Sequence, residues 1–162
     1  MKLIVISGRS GSGKTIALHV LEDLGYDCID GVPYRLLEQV VETLDPEHNK
    51  VAITLDIRNM PTEVGEIKKL LDSLQKKVEL EIIYIDALSS ELIRRYSETR
   101  RLHPLSKQKL SLSQALELES ELLAPLKDFA SFSIDTTALS VHNLNEHLKI
   151  YLKGSSKSEL LI

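Results

Sequence analysis

A short run near the amino end carries the clearest chemistry in the sequence. An apolar stretch over residues 2–7 leads into a match to G-x-x-x-x-G-K-[ST], and residues with helical spacing follow. Glycines let the backbone curl so that N–H groups point at phosphate oxygens, and the next helix adds its positive dipole end. The lysine would reach the β- and γ-phosphates, and the threonine hydroxyl would bind Mg²⁺. The pattern predicts a P-loop (Walker A) site for ATP or GTP with Mg²⁺, formed by Gly8, Arg9, Ser10, Gly11, Ser12, Gly13, Lys14 and Thr15.

A magnesium site of this kind also needs an acid that holds the metal through water. Asp56 follows the apolar run 51–55, and Asp86 follows the run 80–85. In related kinase-like P-loop folds the acid usually follows the third strand, which favours Asp56 as a metal ligand beside Thr15. Asp86 is better read as a residue that starts the following helix. We therefore expect the segment after the third strand to lie near the phosphates, with Asp56, Ile57, Arg58 and Asn59 as candidate contacts.

A third acid, Asp30, follows the second predicted strand, at the edge where ligands bind in α/β sheets. It could orient an acceptor hydroxyl or a water, but a turn residue ahead of Gly31 is an equally good interpretation. Base recognition is weakly specified, because the Asn-Lys-x-Asp guanine signature fails at Ala52. The turn at residues 135–137 lies where related folds hold the base, but its residue types are equally those of an ordinary turn.

The stretch from 99 to 116 contains no aspartate or glutamate and carries four lysines and arginines. Three interpretations stay open: a lid that folds Arg100, Arg101 and His103 over the phosphoryl group, an RNA-phosphate contact, or a surface charge run. Just upstream, Arg94 and Arg95 have glutamates at helical pair spacing, which favours solvated surface salt bridges there.

Composition excludes several classes of protein. The chain has 162 residues, with 20 lysines and arginines against 24 aspartates and glutamates, so its formal net charge is −4. That balance argues against a wholly nucleic-acid-binding surface, and 4% aromatic residues without tryptophan argue against a base-stacking platform. The single cysteine, Cys28, excludes an internal disulfide and fits a reducing, cytoplasmic location. No apolar run is long enough for a membrane span.

The elements that must position these residues alternate along the chain. Apolar runs at 2–7, 26–29, 51–55, 80–85 and 131–134 predict five strands, and helical stripes separate them. Ser111 and Gln114 form a capping box, Pro125 should kink or end the helix that follows, and Ser140 should cap the last helix. We therefore predict an α/β, three-layer P-loop NTPase/kinase-like fold with a five-stranded parallel sheet. Residues 1–153 would form this P-loop nucleotide-binding domain, and 154–162 would be a linker toward a C-terminal domain absent from this chain.

The residues at 8–15, 56–59 and 94–105 together resemble the RapZ/YvcJ family of bacterial P-loop proteins. The resemblance covers essentially the whole chain but only about half of the family's usual length. It implies binding of ATP or GTP, with at most slow hydrolysis, a possible weak NTPase activity. In the RapZ branch it implies an RNase adapter that presents a small regulatory RNA to RNase E and so adjusts amino-sugar synthesis, mainly through the C-terminal domain. We expect the full-length protein to be a homo-oligomer. Gly31 departs from the asparagine common in the family, which weakens the case for an acceptor site there, and a small-molecule kinase remains the alternative function.

Overall fold

The computed structural model describes residues 2–43, 50–55, 64–99 and 111–160. Strands and helices alternate along the chain. The strands are β1 (Lys2–Ser7), β2 (Asp27–Val32), β3 (Lys50–Leu55), β4 (Glu79–Asp86) and β5 (Phe132–Asp135). The helices are α1 (Lys14–Asp23), α2 (Leu37–Thr43), α3 (Val64–Lys77), α4 (Ser89–Thr99), α5 (Leu112–Asp128) and α6 (Val141–Leu160), with a 3₁₀ turn at Tyr34–Leu36 ahead of α2.

The five strands form one parallel sheet in the order β2-β3-β1-β4-β5, so the predicted α/β fold with a five-stranded parallel sheet is confirmed. β1 lies at the centre, with Leu3 paired to Val51 of β3 on one side and to Leu80 of β4 on the other. All six β1 residues are buried, as expected of a strand with helices on both faces. The carboxyl end of β1, where the next loop begins, is therefore held in place by a neighbouring strand on each side.

Alternate β1 residues face two separate apolar cores. Leu3 and Val5 point to the core shared with α2, α3 and α5, whereas Ile4 and Ile6 point to the core shared with α1 and α6. Each of these four side chains is fully buried, and each contributes about 1.5–3 kcal/mol of hydrophobic stabilisation. The two cores fix the sheet between its helix layers and leave its carboxyl edge for the loops that carry chemistry.

Two helix starts follow local sequence signals, whereas a helix end does not. The Ser111 side chain accepts from the Gln114 N–H and the Gln114 side chain accepts from the Ser111 N–H, so the capping box is present. Ser140 Oγ accepts from Asn143 N–H at the start of α6. Of the two expectations for Pro125, that it ends the helix is wrong, because α5 continues to Asp128, and that it kinks the helix stays a prediction. Pro125 costs one N–H donor near the helix end, and its burial offsets that loss.

The carboxyl-terminal helix runs further than the sequence predicts. α6 extends to Leu160, so the backbone over 154–160, expected to be a linker, is helical. Whether this stretch connects two domains stays a prediction. Among the described residues, no helix is both long and apolar enough to cross a membrane.

Candidate functional site

The loop between β1 and α1 has the backbone conformation that its glycines predict. Gly8, Gly11 and Gly13 have φ values of 149°, 86° and 115°. A Cβ on Gly8 would lie 1.8 Å from the Ile85 carbonyl oxygen in β4. A Cβ on Gly11 would lie 3.3 Å from Tyr96 Cε2 in α4. The loop is therefore curled tightly against its neighbours: Gly8 is required by space as well as by conformation, whereas at Gly11 the conformation is the main requirement.

The loop ends at the amino end of α1 in a form suited to an anion. Gly13 is the N-cap and is left-handed, no side chain caps the helix, and the first turn contains no acid. Lys14 is half-buried and Thr15 is exposed, both in the first turn. The helix dipole and the first-turn amides therefore favour negative charge here without a competing side-chain cap.

Arg9 turns away from this anion-facing side and holds the loop to the next strand. Its Nε donates to Asp86 Oδ1 at 2.9 Å, its Nη1 to Ser89 Oγ at 2.9 Å and its Nη2 to the Ala87 carbonyl oxygen at 2.6 Å. The Arg9 side chain is nearly buried. Asp86 Oδ1 also accepts from the Ala87 N–H at 2.8 Å, so this carboxylate is engaged in fixing the chain between β4 and α4.

Glu119 is a member of the site that sequence reasoning missed. It lies in α5, 109 residues from its partner, and is 0% exposed. Its Oε1 accepts from the Ser10 N–H at 2.8 Å, and its Oε2 accepts from Ser10 Oγ at 2.7 Å. In the sequence, Glu119 stands out only as an acid among the apolar positions of its helix, and this pattern does not identify the residue that it contacts.

Arg95 and Thr136 hold the next two loop carbonyls. Arg95 Nη1 donates to the Gly11 carbonyl oxygen at 3.0 Å, and Thr136 Oγ1 donates to the Ser12 carbonyl oxygen at 2.7 Å. Arg95 also donates through Nη2 to the Thr136 carbonyl oxygen at 2.7 Å. The 135–137 turn, expected near a base, thus braces the loop through its middle residue.

The expected salt bridges to glutamates are present for both Arg94 and Arg95, but the solvated surface position is confirmed for Arg94 alone, since the Arg95 side chain is 23% exposed. The Arg94 side chain is 57% exposed and pairs with Glu91 and Glu98, and its hydrogen bonds lower the Glu91 pKa to about 2. One residue further along a helix turns the side chain by about 100°. That rotation brings Arg95 to the inner side of α4, although it retains a bond to Glu91 at 3.2 Å.

Asp30 lies at the carboxyl end of β2, where the sequence placed it, but inside the strand rather than in a following turn. It is exposed, and its Oδ1 accepts from Thr54 Oγ1 of β3. The Gly31 N–H donates to the same hydroxyl at 2.8 Å, and the pairing register shifts between Ile29 and Val32. Gly31 has a φ of 74°, which the irregularity requires. The carboxylate is therefore held in a fixed direction at the ligand edge of the sheet.

Two groups of predicted residues lie outside the described part of the chain. Asp56, Ile57, Arg58 and Asn59 follow the last described residue of β3, and the basic run containing Arg100, Arg101 and His103 follows α4. β3 is hydrogen-bonded to β1, so Asp56 follows a strand adjacent to the one that carries the P-loop. Within the described residues, no group of three or more His, Cys, Asp or Glu side chains could hold a metal. The metal role of Asp56 with Thr15 stays a prediction.

Comparisons with known proteins agree with this architecture. The model of the RapZ-like N-terminal domain matches residues 1–156. A nucleotide-binding protein of Psychromonas ingrahamii is 75% identical over all 162 residues, and one of Haemophilus influenzae is 48% identical over the same length. The chain spans 57% of the length of each of these relatives.

Solved structures of the same fold are distant in sequence. A gluconokinase from Sinorhizobium meliloti has a TM-score of 0.61 at 17% identity, over 99% of this chain and 96% of that one. The Bacillus subtilis YorR protein in complex with phosphorylated GDP has a TM-score of 0.63 at 16% identity, over 96% and 98% of the two chains. These likenesses show a kinase-like fold, and the match over residues 1–156 together with the identical positions in its relatives shows that the chain belongs to the RapZ-like N-terminal domain family.

Proposed function

We propose that this domain binds ATP or GTP with Mg²⁺ and serves as the nucleotide-sensing part of a RapZ-like RNase adapter. The observation that carries the proposal is the loop at residues 8–15, which has three left-handed glycines and ends at the uncapped amino end of α1. Such a loop presents backbone N–H groups to phosphate oxygens. The name "nucleotide-binding protein" of the 75% identical relative supports the same ligand class.

In this proposal the loop binds the phosphates, and the segment after β3 completes the magnesium site. The loop at residues 8–15 holds the phosphates through the amides other than those of Ser10 and Ser12, which donate to Glu119 and to the Arg9 carbonyl oxygen, and Lys14 neutralises the β- and γ-phosphates. Thr15 and Asp56 hold Mg²⁺, Asp56 through water, and Ile57, Arg58 and Asn59 line the phosphate side. Asp86 is the weaker metal candidate because Arg9 and the Ala87 N–H already occupy its Oδ1.

The carboxylates described near the loop support slow rather than fast hydrolysis. Asp86 and Glu119 each accept hydrogen bonds from protein groups. A general base has to reach the water that it activates, and a carboxylate committed to protein donors is poorly placed to do so. At most a weak ATPase or GTPase activity follows.

The adapter role rests on family membership and on charge. A net charge of −4 gives this domain little attraction for RNA phosphates, so the contacts to a small regulatory RNA and to RNase E belong mainly to the part of the longer relatives that this chain does not span. Nucleotide occupancy would then bias the attached domain in a cytoplasmic homo-oligomer. The isolated domain should bind RNA weakly, with a shallow salt slope.

A small-molecule kinase is the second candidate, and Asp30 is the observation that favours it. This exposed carboxylate is aimed by the Thr54 hydroxyl at the edge where kinase-like folds place acceptors. The two functions separate in one assay with MgATP or MgGTP and hydroxylated acceptors such as gluconate and shikimate. Phosphorylated acceptor at about 1–100 per second would establish the kinase, whereas slow phosphate release alone supports the adapter.

Lys14→Ala tests the nucleotide site itself. We expect at least about tenfold weaker binding of MgATP and MgGTP in calorimetry, because a hydrogen bond to a charged group contributes about 1.5–3 kcal/mol. Lys69→Ala, an exposed lysine of α3, is the matched control and should bind as the wild type does. Equal affinities for all three proteins would reject the site.

Asp56→Asn tests the metal assignment. We expect nucleotide binding to lose most of its dependence on Mg²⁺, because the amide replaces an anionic partner of the metal shell. The control is Asp72→Asn, which removes an exposed carboxylate from α3. An unchanged magnesium dependence in Asp56→Asn would transfer the role to Asp86.

A further inference from the structure

A cavity of about 420 Å³ lies beside the edge strand β5, on the sheet face that α5 covers. Two pairs of neighbours in the register of β4 and β5 line it: Tyr84 pairs with Ser133, and Asp86 pairs with Asp135. Residues two apart on a strand face the same way, so these four side chains share one face of the sheet. Lys127 lines the cavity from α5. Its volume is that of a site for a small molecule.

Tyr84 brings a buried hydroxyl to this cavity. The residue is 2% exposed, and no hydrogen bond joins its hydroxyl to any residue that the structure describes. Burial, and then the nearby Asp86 carboxylate, raise the pKa of Tyr84, so the phenol keeps its proton and can donate it. A buried polar group without a partner costs free energy, which indicates that a ligand group accepts from this hydroxyl.

Lys127 adds a positive charge at the same end of the cavity. Its Nζ lies 5.9 Å from the centre of the Tyr84 ring. Within the described part of the chain, this ammonium group forms no ion pair with a carboxylate. The phenol and the ammonium therefore present two donors that suit an anionic group.

The other end of the cavity is acidic. Asp86 and Asp135 lie side by side in the register, and Arg9 binds Asp86 through Oδ1. Bonds from Thr137, and then the Arg95 guanidinium, hold the pKa of Asp135 below its ordinary value, so this carboxylate is charged. Two carboxylates and the Arg9 guanidinium, the charged groups that line this end, leave a formal charge of −1. This end suits a cationic group.

The two ends are spaced for a small zwitterion. Tyr84 and Asp86 are two residues apart on one strand, so their Cα atoms are separated by about 6.6 Å. In an α-amino acid the nitrogen and the carboxylate carbon are about 2.5 Å apart, and a hydrogen bond adds about 2.9 Å at each end. An α-amino acid is therefore long enough to bond to both ends at once. A simple anion would leave the acidic end unpaired, and a simple cation would leave the Tyr84 and Lys127 donors unpaired.

We propose that this cavity binds a free α-amino acid, with the carboxylate held by Tyr84 and Lys127 and the ammonium group held by Asp86 and Asp135. The site is distinct from the nucleotide site, because it lies on the α5 side of the sheet and α1 packs on the opposite side. Arg9 connects the two sites, since it belongs to the phosphate loop and bonds to Asp86.

The test titrates the nitrogen-15-labelled chain, without nucleotide, with each of the twenty common L-amino acids and follows the amide chemical shifts. We expect at least one amino acid to give saturable shifts at residues 84–89 and 132–135. The same compound without its ammonium group, or without its carboxylate, should bind at least about tenfold more weakly, because charged groups of the cavity then lack a partner. Saturable shifts with none of the twenty, or equal binding of either truncated compound, would overturn the proposal.

Variants locate the binding. Tyr84→Phe keeps the buried ring and removes the hydroxyl, so the amino acid should bind at least about tenfold more weakly. Lys127→Ala should weaken binding about two- to fivefold, since this lysine is exposed. Lys76→Ala, which removes an exposed lysine from the last turn of α3, is the matched control and should bind as the wild type does.

Lys14→Ala separates this site from the nucleotide site. It should lose nucleotide affinity and retain the amino acid, so wild-type protein that binds an amino acid but no nucleotide would reject the proposed function alone. Wild-type amino-acid affinity in both Tyr84→Phe and Lys127→Ala would overturn the assignment of the cavity alone.

Discussion

Gly8→Ala is the most direct test of how the loop is built. The added Cβ would lie 1.8 Å from the Ile85 carbonyl oxygen, about 1.6 Å short of the 3.4 Å at which ordinary van der Waals contact begins. That oxygen belongs to β4, which pairs with β1 along six residues, so the sheet cannot yield and the loop must move. Overpacking of this kind costs about 1–3 kcal/mol.

The backbone conformation adds to this cost. Gly8 has a φ of 149°, and a left-handed conformation costs a residue with a side chain about 1–2 kcal/mol. Together with the clash, Gly8→Ala should destabilise the domain by about 2–5 kcal/mol. Gly25→Ala is the matched control, because Gly25 has a φ of 95° and nothing within 4 Å of the added Cβ, so it pays the conformational cost of about 1–2 kcal/mol alone.

Thermal unfolding followed by circular dichroism measures the difference. For a domain of this size, 1 kcal/mol shifts the melting temperature by about 2–4 °C, so Gly8→Ala should melt several degrees below Gly25→Ala. A loop displaced by more than 1 Å should also lose at least one charge-assisted bond to phosphate, so that MgATP affinity falls by about tenfold or more. If the two alanine variants melt together and Gly8→Ala binds MgATP as the wild type does, the loop is not held as described.

Thr136→Val should destabilise the domain by about 1–3 kcal/mol and weaken MgATP binding, because it leaves the buried Ser12 carbonyl oxygen without its hydroxyl donor. Thr43→Val at an exposed helix end is the control, and a melting temperature for Thr136→Val no lower than that of this control would contradict the assignment. Burial, and then the nearby Glu22 and Asp27 carboxylates, raise the pKa of Cys28 to about 11. The thiol should thus react slowly with disulfide reagents at pH 8 when folded and fast in urea, and any stability gained from this shift should be lost as the pH rises from about 9 through 11. Equal rates in the two states would show that the thiol is not protected.

Much of the fold follows from patterns that act over a few residues. Five apolar runs placed the five strands within a few residues of their observed bounds, since a buried parallel strand needs a continuous apolar run. The caps at Ser111 and Ser140 were predicted correctly because a cap is a contact across three residues. The helix end expected at Pro125 and the extent of α6 were misjudged because tertiary packing overrides local preference near a helix end.

The loop could be predicted from the sequence because its glycines, lysine and threonine lie within eight consecutive residues and act through local backbone geometry. The side chains that support the loop could not be predicted in this way. Glu119, Arg95 and Thr136 come from three different elements, and each meets the loop through contacts spanning 84 to 124 residues. A pattern of spacing carries no information about which distant side chains a parallel sheet brings to one edge, so only the assembled tertiary structure decided what holds the phosphate loop in place.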